Sequence, residues 1–151
     1  MAQAEGGSPA AEAAGASSAS VKSGKFVFGD GAVYEGEFRE TSAGVQRHGE
    51  GSYSDGAETY TGSWESDEMH GRGEYRSATG ATFVGELKEG LYDGHGVYSW
   101  PDGAQYTGEW QAGLMHGEGS YRSGAGVTWV GTFYRGRYDT GKAYVDVRDE
   151  K

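Results

Sequence analysis

The sequence contains no cysteine, only two prolines and, beside its 29 glycines, little leucine or valine. Without cysteine the chain can form no disulfide, no thiolate nucleophile and no cysteine-ligated zinc site. A core must therefore be built mainly from its eleven Tyr, five Phe and four Trp, with glycine leaving room between the rings. These absences exclude several classes of site and predict a core of unusual composition.

The sequence also lacks any cluster of basic residues, and its formal net charge is −10. Nucleic acids and anionic membrane surfaces are bound mainly through Lys and Arg, so neither is expected as a direct ligand. No apolar run approaches the ~20 residues of a membrane-spanning helix, and no signal peptide is recognisable. We therefore expect a cytoplasmic protein.

The composition divides the chain in two. Residues 1–23 are rich in Ala, Gly and Ser and contain no aromatic residue. Such a segment cannot bury enough apolar surface to offset its loss of entropy on ordering, so we predict that it is disordered. A repeat domain is predicted over 24–147, followed by a charged end at 148–151.

A five-residue pattern, aromatic-x-Gly-x-large, recurs through this domain. Its copies are YEGEF (34–38), YTGSW (60–64), FVGEL (83–87), YTGEW (106–110) and WVGTF (129–133). They start 26, 23, 23 and 23 residues apart, and four of them are followed by Gly-x-Gly-x-Tyr. A half-repeat, Gly24 to Phe28, precedes the first copy. A fixed period of this length is typical of repeat architectures.

Both segments of each repeat alternate with a period of two, which indicates strands rather than helices. In the first repeat Tyr34 and Phe38 share one face, and Glu35 and Glu37 point to the other. Turn-forming sequences such as SDG and PDG separate the repeats. An isolated hairpin is only marginally stable, so consecutive hairpins should pair into one sheet. The predicted fold is all-β: an elongated single-layer antiparallel sheet of a half-repeat and five hairpins, the last a divergent cap.

The segment YTGEWQAGLMHGEGSY (106–121) resembles the consensus of the MORN repeat, the membrane occupation and recognition nexus. The resemblance covers roughly 24–144. It is weaker where Leu87 replaces an aromatic residue and where Thr140 and Lys142 replace glycines. It implies an elongated twisted sheet with an aromatic-lined groove, used as a non-enzymatic scaffold or targeting module. The implied setting is a cytoskeletal assembly such as the ciliary axoneme and its radial spokes, or alternatively a membrane junction.

Histidines recur at one position of the repeat. They are His48, His70 and His116, and Asp93 and Asp139 take their place in the other two repeats. Equivalent positions of adjacent hairpins lie roughly 10 Å apart, because each hairpin adds two strands spaced by ~4.8 Å. One zinc ion needs all its ligands within ~2.1 Å. We therefore expect the histidines to support the hairpin bend, and we predict no metal and no cofactor.

Glutamates recur on the non-aromatic face of the predicted sheet. They are Glu35, Glu37, Glu50, Glu74, Glu86, Glu109 and Glu118. A glycosidase needs two carboxyl groups across a cleft, one of them with a raised pKa, and an exposed stripe does not provide this. The sequence also lacks a Ser–His–Asp spacing and a Gly-Lys-Ser or Gly-Lys-Thr phosphate loop. No catalytic residue is predicted, and an enzyme is not expected.

The aromatic face is the candidate binding site. A single-layer sheet cannot cover all of its rings, and partly open Tyr and Trp side chains suit an amphipathic helix or an extended peptide. The predicted partner-binding residues are Tyr60, Trp64, Tyr98, Tyr106, Trp110, Tyr121 and Trp129. The alternative is that these rings form only the core.

Two features interrupt or end the repeat. The insertion RETSAGVQ (39–46) is expected to be a tolerated longer loop, or alternatively a loop that contacts a partner. The strand near 143–147 leaves an unpaired edge, with which a second copy or another protein could pair. We thus expect a scaffold for protein partners in a larger assembly, and a homodimer through the C-terminal edge is one further expectation.

Overall fold

A computed structural model describes residues 21–145, which form one antiparallel sheet of eleven strands arranged in sequence order. The strands are β1 (Val21–Val27), β2 (Val33–Thr41), β3 (Gly44–Ser54), β4 (Thr59–Glu65), β5 (Glu68–Arg76), β6 (Thr82–Lys88), β7 (Leu91–Ser99), β8 (Gln105–Gln111), β9 (Leu114–Arg122), β10 (Val127–Tyr134) and β11 (Arg137–Val145). Strand β1 precedes five hairpins, which confirms the predicted fold class. Of the tail 1–23 that was predicted to be disordered, residues 1–20 lie outside the described residues, as does the charged C-terminal end, and residues 21–23 belong to β1.

A row of glycines crosses the entire sheet, one from each strand. It consists of Gly24, Gly36, Gly51, Gly62, Gly73, Gly85, Gly96, Gly108, Gly119, Gly131 and Gly141, each paired with the next. Within a hairpin the paired backbones approach closely, so that a Cβ on Gly85 would collide with the Cα of Gly96 and the carbonyl oxygen of His95. The glycine row therefore allows the strands to approach closely beneath the layer of aromatic rings.

One buried ring in each of four hairpins lies across this glycine row. These rings belong to Tyr34, Tyr60, Phe83 and Tyr106, all at most 1% exposed. The ring of Tyr106 covers Gly119 of the following strand, and its hydroxyl donates to the Glu109 carbonyl oxygen at 2.8 Å. Tyr60 repeats this contact with the Ser63 carbonyl, also at 2.8 Å. Each tyrosine is thus both packed and hydrogen-bonded, as a buried hydroxyl requires.

Large side chains from one hairpin also pack against the hairpin before it. The Trp64 ring contacts Tyr34 and Tyr60 edge-on, with centroids 5.4 Å and 5.1 Å away, and its Nε1 donates to the Gly51 carbonyl at 3.1 Å. T-shaped contacts of this kind add stability beyond the buried area. Tryptophan therefore joins adjacent hairpins as well as filling the core.

The third repeat has Leu87 where this tryptophan stands, and a neighbouring ring fills the difference. Tyr92 stacks on Phe83 with ring centroids 3.9 Å apart. Burial raises the pKa of Tyr92 to about 12. The ring of Tyr92, opposite Leu87 in the same hairpin, therefore replaces the aromatic packing that tryptophan provides in the neighbouring repeats.

The insertion at 39–46 lengthens the first hairpin, so the expectation of a loop is wrong. Arg39, Glu40 and Thr41 pair with Gln46, Val45 and Gly44, and only two residues form the turn. Because the inserted residues are even in number, they pair with one another across β2 and β3. The longer β2 also pairs with a longer β1, which begins at Val21 rather than at the predicted start, Gly24.

Candidate partner-binding groove

The seven predicted binding residues fall into two groups. Tyr60, Trp64, Tyr106 and Trp110 are buried in the core, at most 7% exposed. Tyr98, Tyr121 and Trp129 are partly exposed on the aromatic face. A side chain buried in this way can support a docking surface but cannot itself present much area to a partner. The first four residues are therefore corrected to supporting core, and binding by the other three stays a prediction.

The aromatic face carries more partly buried side chains than these three. They are Phe26, Tyr53, Met69, Tyr75, Tyr92, Tyr98, Trp100, Met115 and Tyr121, all packed against the buried core. We call these residues, together with Trp129 and the two cavities described next, the aromatic groove. Trp100 was not among the predicted binding residues. The centroid of its ring lies 4.6 Å from that of Tyr98 and 5.5 Å from that of Tyr121. It lies just past the repeated Gly-x-Gly-x-Tyr pattern, so only the alignment of Phe28 with Trp100 could have indicated it.

A cavity of about 370 Å³ lies at the N-terminal end of the groove and is lined by Phe26, Phe28, Asp30, Ala32, Tyr34, Val45, Arg47, Tyr53 and Asp67. Its notable member is Arg47, whose guanidinium carbon lies 4.3 Å from the centroid of the Trp64 ring. The Arg47 Nε donates to Oδ1 of Asp67 at 2.6 Å. Arg47 stands where other hairpins have Met69 or Tyr92, and aligning the repeats through their histidines would have revealed it.

A second cavity, of about 250 Å³, lies at the C-terminal end and is lined by Met115, Tyr121, Trp129, Phe133 and Tyr138. It remains open because β11 has one residue fewer between Asp139 and Gly141 than β9 has between His116 and Gly119, so the residues after Gly141 are shifted by one position relative to the other repeats. Opposite Trp129 stands Ala143, whereas Tyr121 stands opposite Tyr106 in the preceding hairpin. Tyr144 pairs with Thr128 and is 53% exposed, because a one-residue shift moves a side chain to the other face.

The repeated histidine position holds the turn of the next hairpin. Each of four hairpins closes with two residues of positive φ: Ser66–Asp67, Glu89–Gly90, Ala112–Gly113 and Arg135–Gly136. The Ser66 N–H donates to Nδ1 of His48 at 3.1 Å, and the Ala112 N–H donates to Oδ2 of Asp93 at 3.1 Å. The position requires a hydrogen-bond acceptor, which explains why His and Asp alternate there.

Glutamates on the face opposite the groove also have a structural role. Glu109 accepts the Glu118 N–H at 2.9 Å, beside Gly117, whose φ is 78°. Glu86 accepts the His95 N–H at 2.8 Å in the same manner. The backbone bulges here, and these carboxylates satisfy N–H groups that the irregular pairing leaves unpaired. Part of the acidic stripe therefore stabilises the hairpins.

Neither a metal cluster nor a membrane helix is found in the described part of the chain. Within residues 21–145, no three His, Asp or Glu side chains are grouped so that they could hold a metal ion. No helix long and apolar enough to cross a membrane occurs in the same range. Within these residues, the groups available for binding are aromatic rings, backbone groups and isolated charged side chains.

A known repeat family matches the central hairpins of the sheet. The MORN repeat family matches residues 60–82, 83–105 and 106–128, three consecutive units of the same length. The chain contains three MORN repeats. The matched units span β4 to the start of β10, and the first and last hairpins, which carry the insertion and the shifted register, lie outside them. A search of curated proteins found no match. MORN repeats are generally non-enzymatic modules of protein or membrane interaction.

Proposed function

We propose that this protein is a non-catalytic scaffold that docks a peptide or helical segment of a partner protein on the aromatic groove. The supporting observation is the row of partly exposed rings on one face, with an open cavity at each end. Partly exposed aromatic side chains over a rigid core offer a large contact area at a low cost in entropy. The buried rings beneath keep that surface in place.

The proposal extends to a cytoplasmic, cytoskeletal assembly, with the cilium or flagellum axoneme and its radial spokes as the first candidate. Its support is the presence of MORN repeats and not any single residue. The second candidate is a membrane tether that binds lipid headgroups or membrane-associated proteins, which the broader role of MORN repeats favours. The net charge of −10 counts against direct contact with anionic lipids.

Detergent extraction of cells that express the tagged protein separates these two candidates. The scaffold proposal predicts retention in the detergent-resistant cytoskeletal fraction. It also predicts release when Tyr98 and Tyr121 are both replaced by Ala, but not when Thr107, on the opposite face, is replaced by Ala. Release of the unaltered protein by detergent from a membrane pellet would contradict the scaffold proposal and support the tether.

We further propose a homodimer formed through β11. No described strand pairs with its outer edge, and Tyr138 and Val145 on it are 38% and 69% exposed. Such an edge is a template for strand pairing. Sedimentation should show a dimer that Ala143→Lys, which adds a charge to this edge, converts to monomer. A monomer at all concentrations tested would contradict the proposal.

A further inference from the structure

The groove already holds one cation of the chain itself. The Arg47 guanidinium lies over the Trp64 ring and 5.6 Å from the centroid of Tyr53. The Asp67 carboxylate completes its surroundings. A ring face beside a carboxylate is a favourable environment for an ammonium or guanidinium group. The contact shows that rings and carboxylates in this groove can together hold a cationic side chain.

Carboxylates line one rim of the same groove. The rim consists of the five turns that connect successive hairpins or β1 to the first hairpin: 28–32, 55–58, 77–81, 100–104 and 123–126. They contain four acidic residues, Asp30, Asp55, Glu58 and Asp102, and no Lys or Arg. A segment lying along the groove would meet this row of negative charge.

The acidic residues of the rim are held in place by hydrogen bonds, and two of them contact the groove itself. Asp30 and Asp102 are the third residues of equivalent five-residue turns, and Asp55 is the first residue of a four-residue turn. Each of the three accepts the N–H two residues on, at 3.0 Å for Asp30 and 2.9 Å for Asp55 and Asp102. Asp30 lines the N-terminal cavity. Glu58 accepts a hydrogen bond from the hydroxyl of Tyr75, a groove residue. Hydrogen bonds from the Glu58 and Ala57 N–H groups lower the pKa of Asp55, which keeps it charged.

From this arrangement we infer that the segment docked in the groove is basic and amphipathic. Its apolar side chains lie on the rings, and its Arg or Lys side chains face the acidic rim. This inference rests on the proposed docking function and adds the chemistry of the partner. Complementary charge along a groove favours the right partner and accelerates encounter. An acidic segment would meet repulsion along the same rim and from the whole molecule.

Two synthetic peptides test the inference with the full-length protein. One is an 18-residue amphipathic peptide of Leu and Arg, and the other carries citrulline at every Arg position, which preserves shape and removes charge. Titration calorimetry at low and moderate salt compares their affinities. We expect the Arg peptide to bind at least about tenfold more tightly, a margin that shrinks as salt screens the charges.

Two matched variants test whether the rim carboxylates cause the difference in affinity between the Arg and citrulline peptides. Asp30→Asn, Asp55→Asn and Asp102→Asn together keep the turn acceptors and remove three charges, and should lower the affinity of the Arg peptide about fivefold or more. Glu35→Gln, Glu74→Gln and Glu118→Gln remove three charges from the opposite face and should have little effect. Equal losses in both variants would overturn the inference. Equal binding of both peptides would overturn it while leaving groove docking intact, and binding of neither would count against both.

Discussion

At the scale of single residues, the fold depends on glycines that permit two kinds of close contact. Gly108 meets backbone: a Cβ there would lie against the Cα of Gly119 and the Glu118 carbonyl. Gly119 meets a ring, because a Cβ there would lie within the Tyr106 side chain. Alternation of Gly with aromatic residues therefore reflects both the approach of strands and the packing of rings above them.

Gly119→Ala should lower the free energy of unfolding by about 1–3 kcal/mol, because the hydrogen-bonded Tyr106 ring has no room to retreat. Urea unfolding followed by tryptophan fluorescence measures the change. The control is Gly29→Ala: nothing lies within 4 Å of a Cβ at that position. We expect it to stay within ~0.5 kcal/mol of the parent. Equal stabilities for both variants would contradict the close packing of the Tyr106 ring on Gly119.

The buried tyrosines predict a loss of stability at alkaline pH. Burial raises the pKa of Tyr34, Tyr60, Tyr92 and Tyr106 from the ordinary 10.0 to about 12. Between these values the folded protein binds more protons than the unfolded chain, so stability falls as pH rises from 10 towards 12. Urea midpoints across this range should decrease, and less steeply in Tyr106→Phe. A constant midpoint would contradict the burial of these hydroxyls.

At the scale of elements, each hairpin is fastened to the one before it by its turn. The His48 side chain accepts from Ser66, and the Arg47 carbonyl accepts the Asp67 N–H at 2.9 Å. Gly90 and Gly113 are held by preceding hairpins in the same way, at 2.9 and 2.8 Å. These contacts satisfy N–H groups of the tight turn and fix the stacking of neighbours.

His48→Leu should destabilise the protein by about 1–3 kcal/mol, because it leaves the Ser66 N–H without its acceptor. His48→Asp should retain most of the stability, since Asp93 fills the equivalent position. Burial, with a smaller contribution from Arg39, lowers the pKa of His48 from 6.5. The stabilisation is therefore complete above pH 6.5 and is lost as pH falls below it. Chemical unfolding of the parent and of both variants from pH 7.5 to 5 measures these effects; equal losses for Leu and Asp would contradict the acceptor role.

The hairpins and their faces could be predicted from sequence because period and ring position are local properties. Two features could not. The insertion at 39–46 reads as a loop until the pairing of Arg39 with Gln46 is known. The exposure of Tyr144 follows from the pairing of Gly141 with Gly131, and the departure from the pattern at Thr140 and Lys142 does not by itself specify that pairing. The groove residues were predicted as a class, but burial separated Trp64 and Trp110 from the exposed members.

At the scale of the whole molecule, the sheet has one face of rings, one of carboxylates and hydroxyls, and at β11 an edge that no strand within residues 21–145 covers. The core is a single layer of side chains, so covering the groove with a partner would bury the rings that the sheet leaves partly exposed. The MORN repeats thus provide both the stability of the sheet and the surface proposed for docking.

The proposed function requires that a protein segment occupies the aromatic groove. The most direct test replaces Tyr121, on the groove, or Thr107, on the opposite face, with the photo-crosslinking residue benzoylphenylalanine in living cells. After irradiation, mass spectrometry identifies the attached molecule. We expect a discrete protein adduct from position 121 through a defined peptide, and none of comparable yield from position 107. Lipid adducts at position 121, or the same adducts from both positions, would contradict the proposed function.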